Sequence, residues 1–391
     1  MLMIAIAARA ETAVRDQGPP DIVPFVYDDA RIYVPVGARG ADLGLFILDT
    51  GSDDSLIETR LAGRAGVSAT GDAVTLHGAG PGEMEASDGG AVSLQIGRTP
   101  LHLQNILVGD LDRMLFPFSG RHSDGLIGAQ FFREHVVTVD FAHRALELRS
   151  PDAFAYDGPG ARVPFRIVGG APVARGVLIL ADGTRLPLRL LIDLGAETDL
   201  VIAEPFVAAH PRLGRLSPSA LEPLGAGVGG ETRYAFTRLA GLEVGPLTAR
   251  DLIMGLSTHR SLPGGYYDAL LGARFLARYR VTFDYGRREV IFEPNPAARA
   301  DPFDRSGAFL VQDPSGAHRI VIHAVAPGSP AAEAGLRVGD AVRAIGGQAA
   351  EALTLSQARA LLASGDIPPV PLAIARGART IETSVKLRDL F

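Results

Sequence analysis

An internal duplication constrains the fold of this chain more strongly than any other feature of its sequence. The segment FILDTG at 46–51 returns as LLIDLG at 190–195, and DGLIG at 124–128 returns as DALLG at 268–272. Both landmarks return at the same offset, 144 residues. A shared offset at separate landmarks indicates two tandem copies of one structural unit.

Short apolar runs with turn residues between them fill both copies. Runs at 32–36 and 45–48 precede the first Asp-x-Gly, and runs at 177–180 and 186–192 precede the second. The 46 Gly and 27 Pro residues of the chain are spread between such runs. This pattern is typical of many short strands joined by turns, so we expect a mainly β protein.

Composition excludes several classes of function. The chain has no Cys, which excludes disulfides, thiolate metal sites and a cysteine nucleophile. Its net charge is −6 and it has no basic run, so we expect no nucleic-acid partner. Its His residues show no metal-ligand spacing, and it has no serine-nucleophile or phosphate-loop motif. We therefore predict no metal and no cofactor.

Two aspartates in matching loops indicate one kind of chemistry. Carboxylates held close together cannot both ionise, so one keeps a proton while the other acts as a base. Such a pair can activate water against a peptide carbonyl and protonate the departing nitrogen. Gly51 and Gly195 follow Asp49 and Asp193 by two residues and leave room for a close approach. An isolated Asp-x-Gly is usually a plain turn, but the repeat argues against that interpretation.

The repeated motifs resemble the retropepsin-like aspartic protease family. Asp49-Thr50-Gly51-Ser52 together with Leu126-Ile127-Gly128 carries the resemblance, which covers 22–294 as two tandem copies. It implies two pseudo-symmetric β-barrel lobes in a pepsin-like bilobal arrangement, with Asp49 and Asp193 catalytic. The residues that it implies as support for the dyad are Thr50, Gly51, Ser52, Leu194, Gly195, Leu126, Ile127, Gly128, Leu270, Leu271 and Gly272.

Each copy also has a Gly-rich turn, at 77–82 and at 225–230. These turns resemble the flaps that close over substrate in the same family, and glycine gives such hairpin tips conformational freedom. The flap candidates are Gly78, Gly80, Gly225 and Gly227.

The second copy departs from the family pattern at Leu194, where the family has Thr or Ser. That hydroxyl braces the opposite loop, so one of two symmetric braces is missing. We expect Leu194→Thr to raise activity or stability by restoring that hydrogen bond, which requires that the opposite main chain still faces position 194. If an apolar pocket has formed there, the substitution would lose packing instead. Asp199, which takes the place of Ser55, adds a carboxylate near the pair.

A third region after a Pro-rich connector lacks the Asp-x-Gly pattern. Residues 324–347 read AVAPGSPAAEAGLRVGDAVRAIGG, which resembles an α+β PDZ domain of bacterial type. PDZ domains bind an extended peptide end by adding it as a strand beside a helix. The resemblance implies peptide-binding residues Gly307, Ala308 and Phe309 in a loop that cradles a carboxylate.

The N-terminus reads MLMIAIAARAE and ends its apolar stretch in Ala8-Arg9-Ala10, which is similar to a signal-peptidase site. It lacks a basic start and a long apolar core. We expect export to the periplasm, with a cytoplasmic location as the alternative, and no membrane-spanning segment.

A single lysine, Lys386, among 38 Lys and Arg residues favours a high-GC bacterial genome.

The expected organisation is an N-terminal segment at 1–20, a first lobe at 21–150, a second lobe at 151–298 and a PDZ domain at 305–391. The expected function is an aspartic endopeptidase that cleaves extended or unfolded polypeptides, with peptide tails captured by the PDZ groove. The alternative is a catalytically weak adaptor or regulator that binds peptides. Leu194 is the feature that favours the alternative.

Overall fold

The computed structural model describes residues 19–69, 72–216, 221–257, 265–298, 303–313, 315, 319–364 and 369–390, with backbone only for 221–226. Residues 1–18, which hold the predicted leader-like pattern, lie outside the described residues. No helix among those described is long and apolar enough to cross a membrane.

Alternation of apolar and polar residues produces the strands, as predicted. In Val92–Ile96, which reads VSLQI, the apolar residues are buried and the polar residues between them are exposed. Successive side chains of a strand point to opposite faces, so this period of two places one face on the core. The first copy contains strands β1 (Asp21–Pro24), β2 (Val26–Asp28), β3 (Arg31–Ala38), β4 (Ala41–Leu48), β5 (Leu56–Glu58), β6 (Ala73–Leu76), β7 (Met84–Asp88), β8 (Val92–Ile96), β9 (Thr99–Leu103), β10 (Leu107–Gly109), β11 (Gly125–Ile127), β12 (Val136–Asp140) and β13 (Ala145–Arg149), and helices α1 (Ala62–Ala65), α2 (Leu111–Ser119) and α3 (Ala129–Glu134).

The second copy follows the same plan with longer flap strands. It contains strands β14 (Ala161–Val168), β15 (Ala171–Ile179), β16 (Arg185–Asp193), β17 (Leu200–Ile202), β18 (Leu221–Gly227), β19 (Gly230–Val244), β20 (Leu247–Ser257), β21 (Ala269–Gly272), β22 (Tyr279–Asp284) and β23 (Glu289–Pro294), and helices α4 (Glu204–Ala209) and α5 (Ala273–Leu276).

The same arrangement of three neighbouring strands positions the aspartate loop in each copy. In the first, β11 lies parallel to β4, which leads into Asp49, and antiparallel to β5 on its other side. In the second, β21 lies parallel to β16, which ends at Asp193, and antiparallel to β17. Each aspartate therefore emerges from a buried strand pair rather than from a free loop.

A shared sheet joins the two copies. Strands β12 and β22 pair antiparallel, with Thr138 opposite Thr282, and these two residues occupy equivalent positions in the repeat. Their hydroxyl oxygens lie 2.8 Å apart and are buried. The pseudo-twofold axis between the lobes therefore passes through this pair. The mainly β, bilobal arrangement predicted from the repeat is confirmed.

The third module is a separate α+β unit with its own apolar core. Its strands pair in the order β24-β25-β26-β28-β29, with β27 paired to β26, so β24 is an edge strand. The elements are β24 (Ala308–Gln312), β25 (Ile320–Val325), β26 (Ala341–Ile345), β27 (Gln348–Ala349), β28 (Val370–Arg376) and β29 (Arg379–Val385), and helices α6 (Pro330–Glu333) and α7 (Leu355–Ala363). A capping box at Thr354 and Gln357 begins α7.

The module lies against the bilobal body through specific contacts. The His323 imidazole lies 2.6 Å from the carboxylate of Glu231, at the start of β19. The ring of Phe118 in α2 contacts the ring of Phe309 in β24, with centroids 6.4 Å apart. The flap strands and the edge of the third module are therefore neighbours.

The buried hydroxyl pair on the pseudo-twofold axis gives a stability prediction. Thr138→Val should lower the free energy of unfolding by about 1–3 kcal/mol, because it leaves the Thr282 hydroxyl buried without its partner. The double variant Thr138→Val/Thr282→Val should lie close to the wild type, since both polar groups are removed together. Denaturant unfolding of the two variants measures this, and a double variant that lost as much as the single would contradict it.

Candidate active site

The two aspartate loops approach each other so closely that only glycine fits beside each carboxyl group. A Cβ atom built on Gly51 would lie 2.6 Å from Cγ of Asp193, and one built on Gly195 would lie 2.3 Å from Cγ of Asp49. Both distances are shorter than any normal carbon contact. The structure thus brings the two predicted catalytic residues together, and the Asp-x-Gly spacing has the role expected of it.

Main-chain amides orient both carboxylates. Oδ1 of Asp49 accepts hydrogen bonds from the amides of Gly51 and Ser52, at 2.7 and 3.2 Å. Oδ1 of Asp193 accepts one from Gly195 at 2.8 Å. The two carboxylates therefore have different main-chain partners, although the Gly51 amide acts on both.

Thr50 braces the two loops from one side. Its buried hydroxyl donates to the carbonyl of Ile192 at 2.8 Å and accepts from the amide of Leu194 at 2.9 Å. One side chain thus fixes both the strand that leads to Asp193 and the residue that follows it. The loops are held by a single, fully satisfied hydroxyl.

Leu194 occupies the position in the second copy that corresponds to Thr50, but its side chain packs in the core instead of forming hydrogen bonds. Its side chain is fully buried and belongs to the apolar core that runs through both lobes. This burial favours the apolar-pocket alternative over the gain that the sequence led us to expect from Leu194→Thr. Here the brace has been replaced by packing.

Burial is the main cause of the shifted pKa values in the pair. It raises the pKa of Asp49, against the lowering effects of the hydrogen bonds from Asp193 and the loop amides and of the charge on Arg31. Burial, followed by repulsion from Asp49, raises the pKa of Asp193 well above its ordinary value. The pair therefore holds one proton to higher pH than separate aspartates would, and that proton belongs to the pair as a whole.

Two ion pairs balance the carboxylates nearest the pair. Nη1 of Arg31 lies 2.7 Å from Oε2 of Glu197, a buried contact between the lobes. The Asp199 carboxylate lies 3.0 Å from Nη2 of Arg278. The extra carboxylate noted in the sequence is thus matched by a cation and adds no uncompensated charge beside the pair.

The predicted supporting segments lie beneath the pair. Leu126 and Leu270 line the cleft, whereas Ile127 and Leu271 are fully buried in the core. Gly128 and Gly272 have no space for a side chain, because a Cβ would lie 2.3 Å from the carbonyl oxygens of Asp54 and Thr198, respectively. Ser52 turns its hydroxyl to the carbonyl of Asp54 at 2.9 Å.

The Gly-rich turns meet above the cleft. The amide of Gly80 donates to the carbonyl of Val228 at 2.9 Å, and the amide of Gly82 donates to that of Gly229 at 2.7 Å. Gly78 and Gly227 line the cleft beside the opposite flap. Gly225 and Gly227 both belong to β18, which leads to the tip of the second flap, and Gly225 lies opposite Thr232 in β19.

The flap tips also exchange apolar residues. Val228 packs onto the cluster of the first lobe that contains Tyr33 and Leu126. Ala79 packs onto the cluster of the second lobe that contains Tyr234 and Phe236. The flaps enclose a cleft of about 370 Å³ over the two aspartates.

Sequence reasoning missed two tyrosines in the cleft. Tyr234 and Tyr267 both line it, and burial raises the pKa of Tyr234 to about 12, so its hydroxyl stays protonated. Tyr267 belongs to a Tyr-Tyr pair directly before DALLG, and the first copy has His122-Ser123 there. This difference between the copies was the signal that could have identified it.

No metal-binding group of His, Asp and Glu occurs within the described part of the chain.

The predicted PDZ residues lie at the edge strand, but their loop is already engaged. Ser306 and Gly307 donate their amides to the carboxylate of Asp304, at 2.9 and 2.7 Å. The amide of Ala308 donates to the Ser306 hydroxyl at 3.0 Å. Phe309 extends from β24 towards Phe118 and His323.

The burial of Leu194 predicts the outcome of restoring the family residue. Leu194→Thr should lower the free energy of unfolding by about 1–3 kcal/mol, because a hydroxyl would enter an apolar pocket and packing would be lost. Thr50→Val should cost a similar amount by removing both loop contacts. Denaturant unfolding measures both changes, and a stabilised Leu194→Thr variant would show that the brace had merely lapsed.

Comparisons with known proteins agree with these observations. Residues 34–131 match the family described as aspartyl protease, and residues 321–376 match the family described as PDZ domain. A search among curated proteins gave no match. Among solved structures, the chain is similar to an aspartic proteinase from Irpex lacteus, with 14% identity, a TM-score of 0.46, and coverage of 71% of this chain and 99% of that one.

The resemblance stated from the motifs is therefore confirmed at the level of domains. This chain contains a retropepsin-like domain of the aspartyl protease family and, towards its C-terminus, a PDZ domain.

Proposed function

We propose that this protein is an aspartic endopeptidase that cleaves extended polypeptide segments with the Asp49–Asp193 pair. The observation that carries the proposal is the mutual contact of the two aspartate loops, where each glycine faces the opposite carboxyl group. The two carboxyl groups lie side by side, Asp193 buried and Asp49 half-buried, and in this proposal they share one proton. That arrangement can supply an acid and a base at the same point.

In the proposed reaction the unequal pair divides the two roles. Asp49, supported by two amides, is the ionised base that takes a proton from the attacking water. Asp193 is the acid that donates the shared proton to the oxygen of the scissile carbonyl. Asp49 then passes the proton it took from water to the departing nitrogen, while Asp193 takes one back from a hydroxyl of the tetrahedral intermediate. The C–N bond breaks to leave a carboxyl group and an amine, and the pair returns to its starting state.

The cleft favours an extended substrate. It is bounded below by Leu126 and Leu270 and above by both flaps, so a folded domain would not fit between them. The flap tips meet through main-chain hydrogen bonds and must separate to admit a chain. We infer that substrates are unfolded or extended segments.

The PDZ domain contributes capture in this proposal. Its edge strand lies beside the flap that starts at Glu231, so a tail held there stays near the entrance of the cleft. Tethering raises the effective concentration of the rest of the substrate at the cleft.

Export to the periplasm of a bacterium stays a prediction from the sequence.

A catalytically weak peptide-binding adaptor is the second candidate. The observation that favours it is the replacement of one brace by the buried Leu194. Against it, the remaining brace at Thr50 is complete and both aspartates keep their loop geometry. Turnover of the wild-type protein distinguishes the two candidates.

Removing either carboxylate should abolish hydrolysis. Asp49→Asn and Asp193→Asn should each reduce kcat for casein by about a thousandfold or more, because a two-residue acid–base pair has no spare member. Asp251→Asn is the matched control, since that carboxylate side chain is 75% exposed and lies outside the cleft. Wild-type turnover in either dyad variant would rule out the mechanism.

The raised pKa values also predict how stability depends on pH. Groups whose pKa is above the ordinary 3.8 in the folded state stabilise the fold most at low pH, and this contribution falls as pH rises through the folded value. Asp193→Asn should therefore raise the melting temperature at pH 7 by roughly 2–4 °C or more. The gain should shrink at acidic pH, and thermal melts across pH measure it. An equal gain at every pH would contradict a shared, buried proton.

Closing of the flaps should be needed for turnover. A Cβ on Gly80 would lie 2.3 Å from the main chain of Gly229, so Gly80→Val should keep the tips apart. We expect kcat/KM to fall by about tenfold or more with little change in melting temperature. Gly63→Ala is the control, because the space around Gly63 in α1 is open. Unchanged kinetics in Gly80→Val would show that this contact has no role.

A further inference from the structure

The peptide groove of the PDZ domain opens onto a cavity rather than onto open solvent. Edge strand β24 and helix α7 form one side of a cavity of about 320 Å³, through residues such as Phe309 and Ala360. The bilobal body forms the other side, through the turn at Asp29 and the loop Glu197–Leu200. A ligand in the groove would therefore contact the body as well as the PDZ domain.

The loop that would receive a peptide carboxylate is filled by the chain itself. The Asp304 carboxylate accepts the amides of Ser306 and Gly307, and the Ser306 hydroxyl at 2.7 Å. The next amide, of Ala308, is satisfied by the same hydroxyl. A terminal carboxylate entering here would have to displace an existing carboxylate from the same donors and would meet like-charge repulsion.

Arg359 lies across the groove. From α7 its guanidinium donates to the carbonyl of Leu310 in β24 at 2.7 Å, forms an ion pair with Asp29 and lies over the ring of Phe309. Its Nε is buried and has no hydrogen-bond partner among the described residues. A strand that pairs with the free edge of β24 needs the Leu310 carbonyl, so it must first move Arg359.

The groove and the catalytic cleft share a wall. Glu197 and Thr198, which follow the second aspartate loop, line both the cavity beside the groove and the cleft that contains Asp193. This adjacency favours an occupant whose chain continues beyond the groove instead of ending in it.

We propose that the PDZ groove of this protein binds internal extended segments and does not select free peptide C-termini, and that Arg359, held by Asp29, closes the groove until such a segment displaces it. The inference rests on the proposed role of the PDZ domain in capturing polypeptides. Binding comes from strand pairing along β24, which supplies main-chain hydrogen bonds whatever the sequence. The loop that would read a terminus is kept occupied by Asp304.

Binding is best measured in the full-length Asp193→Asn protein, so that no probe is cleaved. Fluorescein-labelled overlapping peptides of casein are titrated by fluorescence anisotropy, each made with a free and with an amidated C-terminus. We expect at least one segment to bind, with Kd values of the two forms equal within about threefold. A free-carboxyl form that binds more than about threefold tighter overturns the proposal, and so does the absence of binding by every peptide.

Two further variants test the closing contact and the filled loop. Asp29→Asn removes the charge that holds Arg359, so the amidated peptide should bind about threefold to tenfold tighter. Asp53→Asn is the matched control, because its carboxylate pairs with Arg133 away from the groove. Asp304→Ala frees the loop amides and should create a preference for the free carboxyl form. Unchanged affinity in Asp29→Asn overturns the closing role of Arg359.

The outcome is separable from that of the proposed function. Casein hydrolysis by the wild-type protein tests the protease, whereas the peptide titrations use a variant that needs no activity. Loss of hydrolysis with terminus-independent binding would reject only the protease. Hydrolysis with a strong preference for free C-termini would reject only the present inference.

Discussion

The close approach of the two aspartate loops is the contact on which the rest of this structure depends. Gly51 and Gly195 permit it, because any side chain there would overlap the opposite carboxyl group. The two lobes must then be fixed relative to each other, which the sheet pairing of β12 with β22 achieves. The same approach removes water from both carboxyl groups, more completely from Asp193 than from Asp49, and this desolvation raises their pKa values.

The two copies of the repeat differ in the residues that surround their aspartates. Thr50 holds both loops with one hydroxyl, while its counterpart Leu194 belongs to the apolar core. The Asp49 carboxylate accepts from the amides of Gly51 and Ser52, whereas the Asp193 carboxylate accepts from that of Gly195, so the two aspartates have different amide partners. Two copies within one chain can diverge in this way, whereas the identical halves of a homodimer cannot.

Much of the fold was predictable because its signals are local or repeated. Strand alternation and the common spacing of the Asp-x-Gly motifs indicated the two lobes and the aspartate pair. The Gly-rich turns indicated the flap candidates Gly78, Gly80, Gly225 and Gly227. Two ion pairs that were not predictable join residues distant in sequence, Arg31 with Glu197 and Arg359 with Asp29. The position of Tyr267 in the cleft was not predictable either. These contacts form only when whole lobes and domains pack against each other, and no local sequence pattern specifies that packing.

The exchange of flap tips joins the two lobes at the entrance of the cleft. Val228 of the second flap packs on the first lobe, and Ala79 of the first flap packs on the second lobe. Movement of either flap alone would uncover an apolar residue and break the hydrogen bonds to the other tip. Each flap is therefore held closed by the lobe to which it does not belong.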